Sequence, residues 1–134
     1  MEITGINQYH LRYDMAEPFR PAWKPGFEQT DHEVLLFELE TDVGISGVAT
    51  ASGFAGRMDY LELAEMFLVG EDPREIESLV ERMDPLNLWG PRPWHFEVAL
   101  WDIVGKDAGK PIYELLGGSA DPIPAYASTG ERQE

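Results

Sequence analysis

The side chains best placed to do chemistry in this chain lie on two loops. Residues 15–30, MAEPFRPAWKPGFEQT, hold three prolines and a glycine and carry Phe19, Arg20, Trp23, Lys24 and Phe27. Such a segment is long enough for a functional loop. Its cations could form charge-assisted hydrogen bonds with an acidic ligand, and its rings could line an apolar part of that ligand. The competing reading is that the aromatics pack the loop down and the cations balance nearby acids. Residues 52–56, SGFAG, set Phe54 between Gly53 and Gly56 in a second loop.

Other reactive side chains point to structure. The chain has no cysteine, which removes disulfides, thiolate metal sites and cysteine nucleophiles together. His10, His32 and His95 are dispersed without ligand spacing. Asp102, in LWDIVGK, sits mid-helix between apolar neighbours. It is expected to be a partly buried group bonded to a neighbouring loop or helix end, rather than a metal ligand or base. Glu97 reads as a network or cap residue. Lys106 and Lys110 lie near helix ends, where cations complement the dipole. The carboxylates follow surface-helix spacing and predict neither a catalytic site nor a metal site.

The elements that must hold these residues follow from periodicity. Residues 2–13 read as a first strand, and residues 15–30 as irregular because of their prolines. HEVLLFELET (32–41) is a second strand, Asp42-Val43-Gly44 a tight turn, and residues 45–51 the returning strand of a hairpin. Leu61, Ala64, Glu65 and Leu68 mark a helix stopped at Gly70. Asp72-Pro73-Arg74-Glu75 predicts the next helix start, with Asp72 as N-cap and Pro73 at the first position. Ile76, Leu79, Val80 and Met83 form its apolar stripe, and Pro85 ends it. A nearly all-apolar helix spans about 94–106, a short one 111–116, and IPAYAS (123–128) reads as one more strand. The expected fold is α+β: a three-stranded antiparallel meander, a helical bundle, then an orphan strand.

Composition sets further bounds. The chain of 134 residues has 25 acidic and 10 basic residues, a formal charge of -15. That field disfavours nucleic acid and anionic membranes as partners, and a halophilic source would account for it. No apolar run approaches the roughly 20 residues of a membrane span, and residues 1–3 lead straight into a strand pattern. A cytoplasmic protein is expected. The helix in FEVALWDIVGKDAGKPIYELLGG (96–118) is apolar enough to need cover on nearly all sides. Only residues 119–134 follow it, so the cover is expected from missing polypeptide or from another chain.

The hairpin DVGISGVAT, the GEDPREIE helix start, the ALWDIVGKDAGKPIYELLGG run and the IPAYAS strand together resemble the N-terminal capping domain of the enolase superfamily, in its mandelate racemase/muconate-lactonizing branch. The resemblance covers Met1 to about Gly130. It implies a capping domain over residues 1–121 and, at 122–134, the start of a truncated (β/α)₈ barrel, a unit of about 250 residues when whole. It implies proton abstraction alpha to a carboxylate in a magnesium-dependent racemase, cycloisomerase or dehydratase, with sugar-acid dehydration preferred. The acids and bases of that chemistry lie on later barrel strands, so no catalytic or metal residue is assigned here and this chain alone is expected to be inactive. The resemblance implies that Phe19, Arg20, Trp23, Lys24 and Phe54 meet a small carboxylate substrate. Ser128, at the end of the first barrel strand, is a further candidate. A homo-oligomer is expected. The alternative is a stand-alone binding or assembly module from a truncated gene.

Overall fold

A computed structural model describes residues 1–52, 60–88 and 92–126. Three strands, β1 (Ile3–Phe19), β2 (Gln29–Thr41) and β3 (Ser46–Ser52), form an antiparallel sheet in the order β1-β2-β3. Among the described residues four α-helices follow: α1 (Tyr60–Leu68), α2 (Ile76–Met83), α3 (Trp94–Ala108) and α4 (Ile112–Leu115). This is the α+β meander and helical bundle that the periodicity implies.

The register explains the core. Leu35 pairs with Ala51, Phe37 with Ala49, and Leu39 with both Ile6 and Gly47, so alternate residues of all three strands point to one face. That face is buried against Ala64 and Leu68 of α1, Ile76, Leu79 and Met83 of α2, and Phe96, Ala99, Leu100 and Ile103 of α3. The β2–β3 turn closes through the Gly44 amide on the Thr41 carbonyl at 3.1 Å, with Gly44 at φ 79°. An L-residue rarely adopts that conformation.

Several boundaries differ from the sequence reading. Residues 15–19 are strand, not loop: β1 runs on to Phe19 and rejoins β2 at the Phe19–Gln29 pair after an irregularity beyond Asp14. Pro18 is tolerated because β1 is an edge strand, where a missing N–H removes no ladder bond. Helix α2 begins at Ile76 rather than at Pro73, and Asp72 is not its cap. Asp72 Oδ1 accepts the Arg74 amide at 3.0 Å, and the carboxylate takes both Nε and Nη2 of the same guanidinium. These bonds make a separate turn and hold the Asp72 carboxyl down at about 2. Pro85 ends α2 but sits inside a 3₁₀ turn, Asp84–Leu88. Residues 121–126 adopt no regular structure, and Ile123 and Tyr126 are exposed; among the described residues no strand runs beside them to supply a ladder.

Helix α3 is covered on its sheet-facing side and, around Gly105, by the start of α4. Its inner residues meet the sheet, with the Phe37 and Phe96 rings edge-on at 5.3 Å. Trp94 and Val98, one turn apart, are 50% and 44% exposed. That exposed side is the part of the helix for which the sequence reading expects cover from missing polypeptide or another chain.

Candidate functional site

Beyond Val34, the last β2 residue that pairs with β3, strands β1 and β2 continue as a two-stranded ribbon. The loop 20–28 closes its tip. Two turns shape it, with the Lys24 amide on the Pro21 carbonyl at 3.1 Å and the Phe27 amide on the Lys24 carbonyl at 3.2 Å. Pro21 is the buried residue of the loop.

Four of the six substrate-binding candidates meet here. Phe19 and Trp23 stack at 5.9 Å between ring centroids with a 57° tilt, leaving Trp23 72% exposed. Arg20 Nε donates to Glu28 Oε1 at 2.6 Å across the base of the loop. Lys24 Nζ lies 4.0 Å from the centre of the Phe27 ring, a cation–π contact. Each cation is thus oriented by a neighbour: Arg20 by a carboxylate that fixes its guanidinium, Lys24 by a ring face that carries its stem. Phe54 and Ser128 lie outside the described residues. Glu28, as the partner of Arg20, escaped the sequence reading. Its signal was the hairpin itself, which brings the residues flanking the loop to opposite sides of its base.

The residues read as structural are built into the frame. Asp102 Oδ2 accepts the Val48 amide at 2.9 Å and Lys106 Nζ at 2.7 Å, and Lys106 Nζ also donates to the Ser46 carbonyl at 2.7 Å. Asp102 therefore clamps α3 to strand β3, whereas a loop or helix end was the expected partner. His95 is buried in contact with the Phe37 and Phe96 rings, at 4.6 and 4.2 Å between centroids, and burial lowers its pKa to about 4. His10, opposite Leu35 in the three-stranded part of the sheet, and His32, opposite Tyr13 on the ribbon, sit apart from it. Among the described residues no three His, Asp or Glu side chains gather where they could hold a metal ion, and no helix is long and apolar enough to cross a membrane.

A fold of this order, with a loop-tipped ribbon beside a helical bundle, defines a class, and residues 12–117 match the model of the mandelate racemase/muconate lactonizing enzyme N-terminal domain. The chain belongs to that family, within the enolase superfamily. It is 30% identical to a cis-3-hydroxy-L-proline dehydratase of Roseibium aggregatum, over 98% of this chain and 38% of the relative. It is 32% identical to an arabinonate dehydratase of Saccharolobus solfataricus, over 98% and 39%. A solved enolase from Bradyrhizobium, in complex with magnesium and mandelic acid, superposes with a TM-score of 0.74 at 30% identity, over 93% of this chain and 37% of that one. The chain thus spans under two-fifths of the length of these relatives.

Proposed function

We propose that this chain is the substrate-capping part of a magnesium-dependent enzyme that abstracts a proton alpha to a carboxylate, with dehydration of a sugar acid as the reaction. Residues 1–121 form the cap in this reading, and 122–134 begin the barrel that carries acids, bases and metal. The dehydratases at 30% and 32% identity support dehydration as the reaction, beside racemases and epimerases among the other relatives. The described residues do not fit a magnesium site, so no catalytic step is assigned to them, and the isolated chain turns over no substrate.

The work of the cap is binding and exclusion of water. In a dry site a charge-assisted pair between a cation and a substrate carboxylate is stronger than in solvent. Arg20 and Lys24 are the cations held at the ribbon tip, and Trp23 offers the ring to cover the ligand, with Phe19 supporting it from beneath. Phe54 and Ser128 complete the proposed contact set. The observation that carries the proposal is the family match over residues 12–117, joined to a loop whose most exposed ring, Trp23, is braced by Phe19.

The test uses an enzyme in which this chain is continuous with its barrel. Trp23→Ala is expected to raise KM for the acid substrate about tenfold, the loss of roughly 1.4 kcal/mol of binding, with a smaller effect on kcat. An unchanged KM would overturn the role of the loop. Dehydration of any acid sugar by the purified 134-residue chain would overturn the assignment of catalysis elsewhere.

A further inference from the structure

The two cations at the ribbon tip are held in different ways. The β1–β2 ladder ends at the Phe19–Gln29 pair, so Arg20 and Glu28 stand where its next pair would fall. An ion pair takes that place, with Arg20 Nε on Glu28 Oε1 at 2.6 Å, a charge-assisted bond across the mouth of the loop. Closure matters at this point. Beyond the Val34–Ser52 pair β3 no longer runs alongside, and a two-stranded ribbon is marginal by itself. Directly below the tip the ladder is also interrupted, because residues 15–18 stand against the single residue Thr30. The Arg20–Glu28 pair is thus a fixed point between an irregular stretch and the loop that it closes.

Lys24 is placed otherwise. Its Nζ lies 4.0 Å from the centre of the Phe27 ring, and among the described residues no carboxylate pairs with it. A ring face attracts a cation without neutralising it. The loop 20–28 holds two cations and one carboxylate. With Arg20 matched to Glu28, Lys24 carries the remaining positive charge. The pair also sits beside both ring braces: Phe19, which supports Trp23, directly precedes Arg20, and Phe27, which seats Lys24, directly precedes Glu28. Opening the mouth of the loop therefore displaces both braces together.

We infer that Arg20 is a positioning residue rather than a substrate ligand: paired with Glu28 it closes the loop, and the closed loop sets Trp23 and Lys24 against the acid. The inference rests on the reading of this loop as substrate-facing and narrows it, by taking Arg20 out of the contact set and bringing Glu28 into the frame that supports it. Neither residue touches the reacting atoms, so their loss acts on binding and not on the chemical step.

The experiment is a charge swap in an enzyme in which this chain is continuous with its barrel. Arg20→Glu puts two carboxylates at the mouth of the loop and is expected to raise KM at least about tenfold, with kcat within about twofold of the parent. Glu28→Gln keeps the guanidinium but removes its partner, and should raise KM about threefold to fivefold, the scale of an exposed ion pair. Arg20→Glu combined with Glu28→Arg restores opposite charges across the mouth and should return KM to within about twofold of the parent. A ligand role for Arg20 gives the reverse. Glu28→Gln would then leave KM unchanged or lower it by releasing the guanidinium, and the swap would stay as impaired as Arg20→Glu. Either result overturns the inference. Trp23→Ala separates it from the reading beneath it. If Trp23→Ala raises KM and the swap does not recover, the inference falls alone; if Trp23→Ala and every charge variant leave KM unchanged, both fall. The pair is also read without turnover, in nitrogen–proton correlation spectra of the 134-residue chain. The Arg20 Nε–H should be protected from exchange with water, and Glu28→Gln should remove that protection while sparing the Arg74 Nε–H, which Asp72 holds. An Arg20 Nε–H that exchanges equally fast in both proteins overturns the inference as well.

Discussion

His95 is buried against the Phe37 and Phe96 rings, and that burial decides its protonation. The ring titrates near 6.5 when exposed but only at about 4 here, because burial disfavours the cation. Between those two values the unfolded chain binds a proton that the folded chain does not. Stability contributed by the neutral ring is therefore complete above about pH 6.5 and is lost as pH falls towards 4. The shift corresponds to about 3 kcal/mol across that window. Denaturant unfolding at pH 7 and at pH 4.5 should show this loss, and His95→Phe, which keeps a ring against Phe37 and Phe96, should remove most of it. An equal pH dependence in both proteins would show that the ring is not the responsible group. The sequence marked His95 only as a histidine without ligand spacing. Its burial comes from Phe37, which is 58 positions away and invisible to local pattern.

Where α3 crosses β3, two residues set the distance between the elements. Gly47 faces α3 so closely that an added Cβ would overlap the Ala99 carbonyl and lie 2.6 Å from Ile103 Cγ1. Backbone cannot yield as a flexible side chain does, so Gly47→Ala forces helix and strand apart. We expect a loss of about 3 kcal/mol, at the upper end of overpacking costs, measurable as a shift in the unfolding midpoint. Asp102→Ala acts on the same seam from the other side. It leaves the Val48 amide and the Lys106 ammonium without their shared acceptor, and should cost about 1–2 kcal/mol. An Asp102→Ala protein as stable as the parent would mean that water replaces the carboxylate fully. These elements also show what local pattern can carry. The apolar alternation of β2, the turn at Gly44 and the length of α3 were readable because their signals lie within the segment itself. The extension of β1 past Pro18 was not, since a proline is acceptable there only on an edge, and edge position is a property of the sheet. The start of α2 was misplaced for a similar reason: Asp72 has the composition of a cap, but the Arg74 side chain competes for its carboxylate.

On the scale of the whole molecule, charge and ion pairing act in opposite directions as salt is added. The exposed pairs Arg12–Asp31, Arg20–Glu28 and Arg82–Glu71 hold N–O distances of 2.9, 2.6 and 2.7 Å, but such pairs contribute at most about 1 kcal/mol each. Against them stands the mutual repulsion of a chain with 25 acids and 10 bases. The candidate residues at the ribbon tip were legible in this respect: Phe19, Arg20, Trp23 and Lys24 stood out as cations and rings in a strongly acidic sequence. What the sequence withheld was that Glu28 claims Arg20 and Phe27 seats Lys24, because both contacts depend on how the loop turns. Screening shortens the reach of every surface charge from about 10 Å at 0.1 M salt to about 3 Å at 1 M. Close pairs lose little at that range, while repulsion spread over the surface is largely removed, so the net effect should be stabilising. The thermal midpoint should rise by several degrees between dilute buffer and about 1 M NaCl, a shift on the order of 1 kcal/mol for a domain of this size. Chloride rather than sulfate is the salt to use, because sulfate would strengthen apolar burial independently of charge. A midpoint that is already maximal in dilute buffer would show that the acidic surface does not strain the fold, and would remove the reason to expect adaptation to high salt.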